Sequence, residues 1–273
     1  MVQNKSLVLA KNPVGFPIPG SDLIITTSEF DLNQTSPPGG LIAKTNYLSF
    51  DPYQRGRMRP GTGPYATGYP LNSPITNNGI LTVLSSSNPR FKAGDVITTN
   101  AAFSEYQIIT KERADLEQAP GAGNAGVSLL KNPLGLDPKL FLGALGMSGL
   151  TAYSSLYEIG KPKKGEVIFI SAASGAVGQV VGQLAKREGL KVIGSVGSDE
   201  KLRYIKEELG FDAGFNYKTE KPDEALKRIL VELGEQGLNI YYDNVGGEQL
   251  DAALGALSTF GRIGKLALFD QET

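Results

Sequence analysis

Residues 171–186 read SAASGAVGQVVGQLAK. An apolar run ends at Ile170–Ser171, and Ala173, Gly175 and Gly178 follow it in the spacing A-x-G-x-x-G. Small residues at those places have separate uses. The first lets the chain turn sharply after a strand, the second lets the backbone approach a pyrophosphate, and the third lets the next helix pack on the sheet. The first N–H groups of that helix then face the anion, aided by the helix dipole. Alanine stands where the motif's first glycine falls, and any buried strand-to-helix turn favours small residues. The setting adds weight: a clean strand before, a clean helix after, at the first turn of a serial βαβ array. A dinucleotide site is the favoured reading over a bare structural turn.

The second strand of such an array selects the dinucleotide. An NAD site usually ends it with Asp or Glu, which bonds the ribose 2′-hydroxyl. In KVIGSVGSDEK (191–201) the strand ends at Ser195–Val196 without a carboxylate, and Ser198 and Lys201 come just after. An ammonium and a hydroxyl pair with a 2′-phosphate, which favours NADPH. The alternative is that Lys201 decorates a solvated helix start, where the dipole mildly disfavours a cation. Asp199 and Glu200 read as dipole-matched surface charges. A third segment, YYDNVGG (241–247), follows the fourth strand of the array, whose end opens on the same crevice. Asn244 there either bonds the cofactor or is a turn former, and spacing leaves both readings open.

The sequence holds no His and no Cys. It therefore offers no imidazole base, Ser-His-Asp triad, His-ligated zinc, thiolate or disulfide. No loop has calcium-type spacing. A net charge of −1 implies no bulk attraction to nucleic acid or to an anionic membrane. No apolar segment approaches membrane-spanning length, and the apolar run in Met1–Ala10 is too short for a signal peptide. The expectation is a soluble, cytoplasmic protein.

The elements that must position these residues change in texture near residue 130. Before it, short β-rich runs at 6–12, 22–30, 40–50, 79–86 and 95–100 alternate with Pro- and Gly-rich loops at 36–40 and 59–70. After Pro138, strands and helices alternate. Strands are expected at 166–172, 191–196, 213–217, 238–244 and 261–269. Helices are expected at 176–188, at 199–209 with Ser198 as N-cap, at 222–233 and at 247–259. Short links between them predict parallel βαβ units. The fold class is α/β, with a β-rich domain at 1–130 and a doubly wound parallel domain at 131–273.

With these residues placed, the chain resembles the zinc-independent medium-chain dehydrogenase/reductases. Within them it is most similar to the prostaglandin reductase, leukotriene dehydrogenase and alkenal double-bond reductase group. The similarity rests on YLSFDPYQRGRM (47–58), FKAGDVI (91–97), LGMSGLTAY (145–153), AASGAVGQVVGQLAK (172–186), GSDEK (197–201), LGFDAGFNYK (209–218) and DNVGGEQLDAAL (243–254). The resemblance implies a GroES-like catalytic domain followed by a Rossmann domain, with NADPH in the cleft between them. It places Gly175, Ala176, Val177 and Gly178 at the pyrophosphate, Lys201 with Ser198 at the 2′-phosphate, Tyr217 by the adenosine end and Asn244 on the cofactor. Tyr53 of the DPY motif lines the substrate pocket or is a packed aromatic at a strand end. Arg55 and Arg57 read as structural.

The implied reaction is hydride transfer from NADPH to the β-carbon of an α,β-unsaturated ketone or aldehyde, without a metal. A conjugated acceptor is already electrophilic, so the protein has to supply orientation and a partner for the enolate oxygen. No catalytic residue is assigned. Against the family, the segment after FGRI (260–263) departs, and the nicotinamide-lining loop, last strand and return segment have no counterpart. The expectation is a Rossmann sheet without its last strand, an incomplete catalytic domain and an open sheet edge suited to association as a homodimer. The alternatives are an inactive, truncated NADPH-binding fragment and a quinone oxidoreductase. The expected partner is a small-molecule enone or enal, with no nucleic acid and no membrane.

Overall fold

The computed structural model describes residues 1–61, 67–116 and 126–265. The chain divides into two compact units, the first ending at Leu142 and the second beginning at Gly143.

The first unit carries β1 (Val2–Leu9), β2 (Leu23–Phe30), β3 (Leu41–Leu48), α1 (Gln54–Arg57), β4 (Ser73–Pro74), β5 (Thr76–Ser86), β6 (Val96–Ala102), β7 (Tyr106–Ile109), α2 (Lys111–Asp115) and β8 (Ser128–Leu129). One sheet has the order β2-β1-β4 and another the order β7-β3-β5-β6-β8, with every pair antiparallel. Period-two burial is plain in β6, where Ile97, Thr99 and Ala101 face inward. Leu41, Ala43, Leu81, Val83, Phe91 and Ile109 join them in the core. The expected strand at 6–12 lies earlier, at Val2–Leu9, because β1 pairs with β2 over its whole length, including the polar stretch Gln3–Ser6. A ladder of backbone bonds does not need apolar side chains, so hydropathy missed its start. A 3₁₀ turn at Pro138–Leu142 packs on β5, and the division between the units falls after it.

The second unit contains α3 (Met147–Ser155), which widens into a π-helical turn at Leu156–Gly160. Then come β9 (Val167–Ile170), α4 (Gly178–Arg187), β10 (Lys191–Val196), α5 (Asp199–Glu207), β11 (Ala213–Asn216), α6 (Pro222–Glu232), β12 (Leu238–Asp243), α7 (Gly247–Ala256) and β13 (Leu257–Lys265). All pairs are parallel, in the order β11-β10-β9-β12-β13. This is the doubly wound Rossmann order, with the switch point between β9 and β12. The central strand β9 is buried on both faces, as its continuous apolar run requires. Ile168 and Ile170 meet Ala152 of α3, Val181 and Ala185 of α4 and Ile205 of α5. Val167 and Phe169 meet Ala225, Leu226 and Ile229 of α6 and Ala252 and Ala253 of α7. The architecture is the expected α/β class, a β-rich unit followed by a Rossmann-type unit.

Boundaries in the second unit differ from expectation at both ends of this sheet's course. The strand expected at 166–172 stops at Ile170, because Ala172 turns into the left-handed region at φ +48°. The helix expected to run to 259 ends at Ala256, and β13 starts at once. Leu257 is already extended and pairs with Leu238. The register shifts between Leu238 and Ile240, and Phe260 sits at φ +63° in the same stretch. The β-branched Thr259 and the free edge of β12 outweigh the helical pattern. Of the strand expected at 261–269, residues 266–269 lie outside the described residues.

Candidate functional site

The turn after β9 is built by close backbone packing. Ala173 is fully buried and its N–H bonds Ser195 O at 2.9 Å, while Gly175 N–H bonds Ala172 O at 2.9 Å. A Cβ added at Gly178 would stand 2.5 Å from Ala172 O and 2.9 Å from Ala173 Cα. Only glycine lets α4 come this close to the turn. At Gly175 the one obstacle to a Cβ among the described residues is Ala172 O at 3.1 Å, which leaves that backbone open to approach.

The helix start is bare. Val177 is the N-cap and makes no side-chain cap bond. The N–H groups of Gln179, Val180 and Val181 reach Gly175 O and Val177 O. Among the described residues, no protein acceptor lies on the N–H groups of Ala176, Val177 or Gly178. Three orphan donors at the positive end of a ten-residue helix fit an anion.

At the end of β10, Ser198 caps α5 by accepting the Lys201 N–H at 3.3 Å. Its own hydroxyl hydrogen remains to donate. Lys201 is exposed, and no carboxylate stands within ion-pair distance of it among the described residues. Asp199 is occupied, its Oδ1 accepting from Asn216 Nδ2 at 2.8 Å. Tyr217 N–H bonds Val196 O at 3.1 Å, and its ring crosses Gly197, where an added Cβ would lie 2.8 Å from the phenol oxygen. Ser198, Lys201 and Tyr217 thus gather around the end of one strand.

Asn244 joins the two strands at the switch point. Its backbone N–H bonds Ser171 Oγ and its Nδ2 bonds Ser171 O, both at 2.8 Å. Ser171 N–H returns to Tyr242 O at 3.2 Å. Sequence reasoning missed Ser171 and also Asp243, which is fully buried. Asp243 Oδ1 accepts Tyr241 Oη at 2.8 Å, Val245 N–H at 3.1 Å and Gly246 N–H at 2.7 Å. That carboxylate shapes the turn carrying Asn244. Nothing short-range in DNVGG tells such a turn-holding role from simple turn chemistry.

Tyr53 belongs to the first unit, just before α1, and is 41 % exposed. Its hydroxyl donates to Asn77 Oδ1. Asn77 Nδ2 donates to Asp51 Oδ2 at 2.7 Å and to Ser49 O at 3.1 Å, and Ser49 Oγ donates to Asp51 Oδ2 at 2.7 Å. Gln54 Oε1 accepts the Asp51 N–H at 2.8 Å. Burial, and then the Asp51 charge, push the Tyr53 phenol up to about 12. The two arginines are structural, as expected. Arg55 donates to Gly15 O at 2.7 Å and 3.0 Å, while Arg57 reaches Thr76 O at 3.1 Å and lies 4.1 Å over the Tyr69 ring. Asp51 and Gln54 carry the three-residue spacing of a capping box, which marks them in the sequence. Asn77, 24 residues from Tyr53, has no such signal.

A doubly wound parallel sheet with bare amides at its first helix and an ammonium after its second strand defines a nucleotide-binding α/β unit. Comparison with known proteins places it further. Residues 176–273 match the family described as zinc-binding dehydrogenase, and residues 5–116 match the N-terminal domain of oxidoreductase. The chain is 48% identical to "NADP-dependent oxidoreductase RED1" of Cochliobolus heterostrophus, covering 96% of this chain and 71% of that protein. It is 39% identical to "2-alkenal reductase (NADP(+)-dependent)" of Nicotiana tabacum, covering 99% of this chain and 74% of that protein. The structure of CurA from Vibrio vulnificus in complex with NADPH superposes with a TM-score of 0.78 at 31% identity, covering 95% of this chain and 70% of that one. The chain belongs to the zinc-binding dehydrogenase family, the medium-chain dehydrogenase/reductases, and is an oxidoreductase of that family. The residues present do not fit a zinc ion. The sequence has no imidazole or thiolate, and no cluster of three acidic residues among the described residues is placed to hold one. No helix among the described residues is long and apolar enough to cross a membrane.

Proposed function

We propose that this chain binds NADPH at the turn after β9 and reduces the C=C bond of an α,β-unsaturated ketone or aldehyde, with no step routed through a metal. The observation that carries the cofactor site is the set of three amides at Ala176, Val177 and Gly178, unpaired among the described residues. Bound NADPH supplies the hydride. The amides hold its pyrophosphate, and the close packing at Gly178 fixes their direction before the anion arrives. Lys201 and the Ser198 hydroxyl take the 2′-phosphate, a group that a carboxylate at the end of β10 would repel. Tyr217 lies by the adenosine end. The Ser171–Asn244 bonds hold the crevice rim at the switch point, and Asn244 Oδ1 stays available as an acceptor. Tyr53 lines the enone pocket. The name of the tobacco protein supports both the cofactor and the substrate class, and the NADPH in the Vibrio complex supports the cofactor.

The test is NADPH oxidation by the purified chain with a simple enone, beside a titration of NADPH against NADH. Saturable NADPH binding with turnover supports the reading. Binding without turnover removes the enone part, and no saturable signal removes the site.

A further inference from the structure

We infer that Tyr53 meets its ligand as a hydrogen-bond acceptor, so that the enone or enal taken at this site carries a hydroxyl donor. This rests on the reading of Tyr53 as a pocket residue. A phenol has one hydrogen and two lone pairs. In this structure the hydrogen is directed inward, onto Asn77 Oδ1. The direction is dictated by chemistry. Asn77 is 2 % exposed, and its amide nitrogen faces a carboxylate oxygen of Asp51 at 2.7 Å and the Ser49 carbonyl at 3.1 Å. Both are acceptors only. Turning the amide round would set its oxygen against two acceptors, so Asn77 has to present oxygen to Tyr53, and an oxygen there can only accept.

The frame around Asn77 is itself held. Ser49 Oγ donates to the same Asp51 oxygen, and Gln54 Oε1 takes the Asp51 N–H. Ser49, Asp51 and Gln54 are all buried, so a change of partner would strand one of them without water to compensate. What the half-exposed phenol offers outward is lone pairs. A raised phenol pKa agrees with this, since such a group is a weak proton source. Stabilising an enolate oxygen needs a donor, and Tyr53 has none to give. Its contribution is selection of the ligand's own hydroxyl.

The experiment uses the full chain with 3-penten-2-one and its 5-hydroxy and 5-methoxy derivatives. Hydroxyl and methoxy are alike in size class and inductive pull, but only the first donates. The kcat/KM ratio of hydroxy to methoxy substrate is expected at about ten in the unsubstituted protein and near one in Tyr53→Phe. Asn77→Ala, which frees the phenol hydrogen, is expected to move the ratio toward methoxy. A preference for methoxy that Tyr53→Phe erases would mean that Tyr53 donates, and it would overturn the inference. So would a ratio near one that Tyr53→Phe leaves unchanged.

If no enone is reduced although NADPH binds, the enone reading fails, and NMR of protein labelled at tyrosine 13Cζ decides the phenol's direction alone. A slowly exchanging hydroxyl proton, absent in Tyr53→Phe and fast-exchanging in Asn77→Ala, upholds it. A Tyr53 hydroxyl in free exchange overturns it.

Discussion

After β9 the groups left facing outward are backbone N–H donors on consecutive residues, Ala176 to Gly178. Around Tyr53 the frame is instead made of buried side chains gathered from residues 49, 51, 54 and 77. The first region depends on what is missing from the side chains, since glycine permits the close approach. The second depends on what the side chains contain. A backbone-built region tolerates many neighbours but no added Cβ at its contact point. A side-chain network tolerates backbone variation, but each member's donors and acceptors must match.

Gly178→Val should strain this contrast most. The new Cβ would meet main-chain atoms of Ala172 and Ala173, which cannot swing aside. A cost of about 3 kcal/mol is expected, with loss of the NADPH signal, read by thermal unfolding and by titration. An unchanged titration would show that the turn is not what holds the nucleotide. Next in size, Lys201→Ala is expected to raise the Kd for NADPH about thirtyfold, leave NADH alone and leave the Tm of the free chain unmoved, because Lys201 is exposed. Tyr53→Phe should cost only about 1 kcal/mol of stability, the net value of one neutral hydrogen bond, measured as a shift in the urea midpoint. A shift several times larger would mean that the Asn77 network folds as a unit.

The smallest expected effect is electrostatic, at a place neither region uses. Burial alone would push the Glu166 carboxyl up. The Arg262 guanidinium, at 2.7 Å and 2.8 Å, and the Lys163 N–H outweigh it and hold the group below the usual carboxylate range. A lowered folded value adds stability that is fully present above the unfolded value of about 4.3 and is lost as pH falls through the folded one. Melting curves of Glu166→Gln and the unsubstituted chain should therefore differ near neutrality and converge in acid. A constant difference would mean that Glu166 acts through packing alone.

The two regions also differ in how far they could be read in advance. Small residues at 173, 175 and 178 and the Ser198 cap act on atoms a few positions away, so spacing alone exposed them. The same holds for the doubly wound order, because alternating strands and helices with short links leave few topologies. Helix α3, in contrast, forms on MSGLTAYSS, whose glycine and four β-carbon hydroxyls hide the helical pattern. β7 has four residues and is fixed by its pairing with β3. Asn77 is invisible from the sequence because its partners lie 24 to 28 positions away. Edge pairing, likewise, and not composition, decides that Leu257 starts a strand.

Ala172 carries a side chain in a backbone conformation that glycine adopts freely. Replacing it with glycine would relieve roughly 1 kcal/mol of steric crowding in the native chain and, by loosening the denatured chain, return a similar amount to the other side of the equilibrium. Melting would barely register the exchange. What alanine contributes is stiffness: the bend that aims the first amides of α4 is already set when the nucleotide arrives, so less ordering has to accompany its capture.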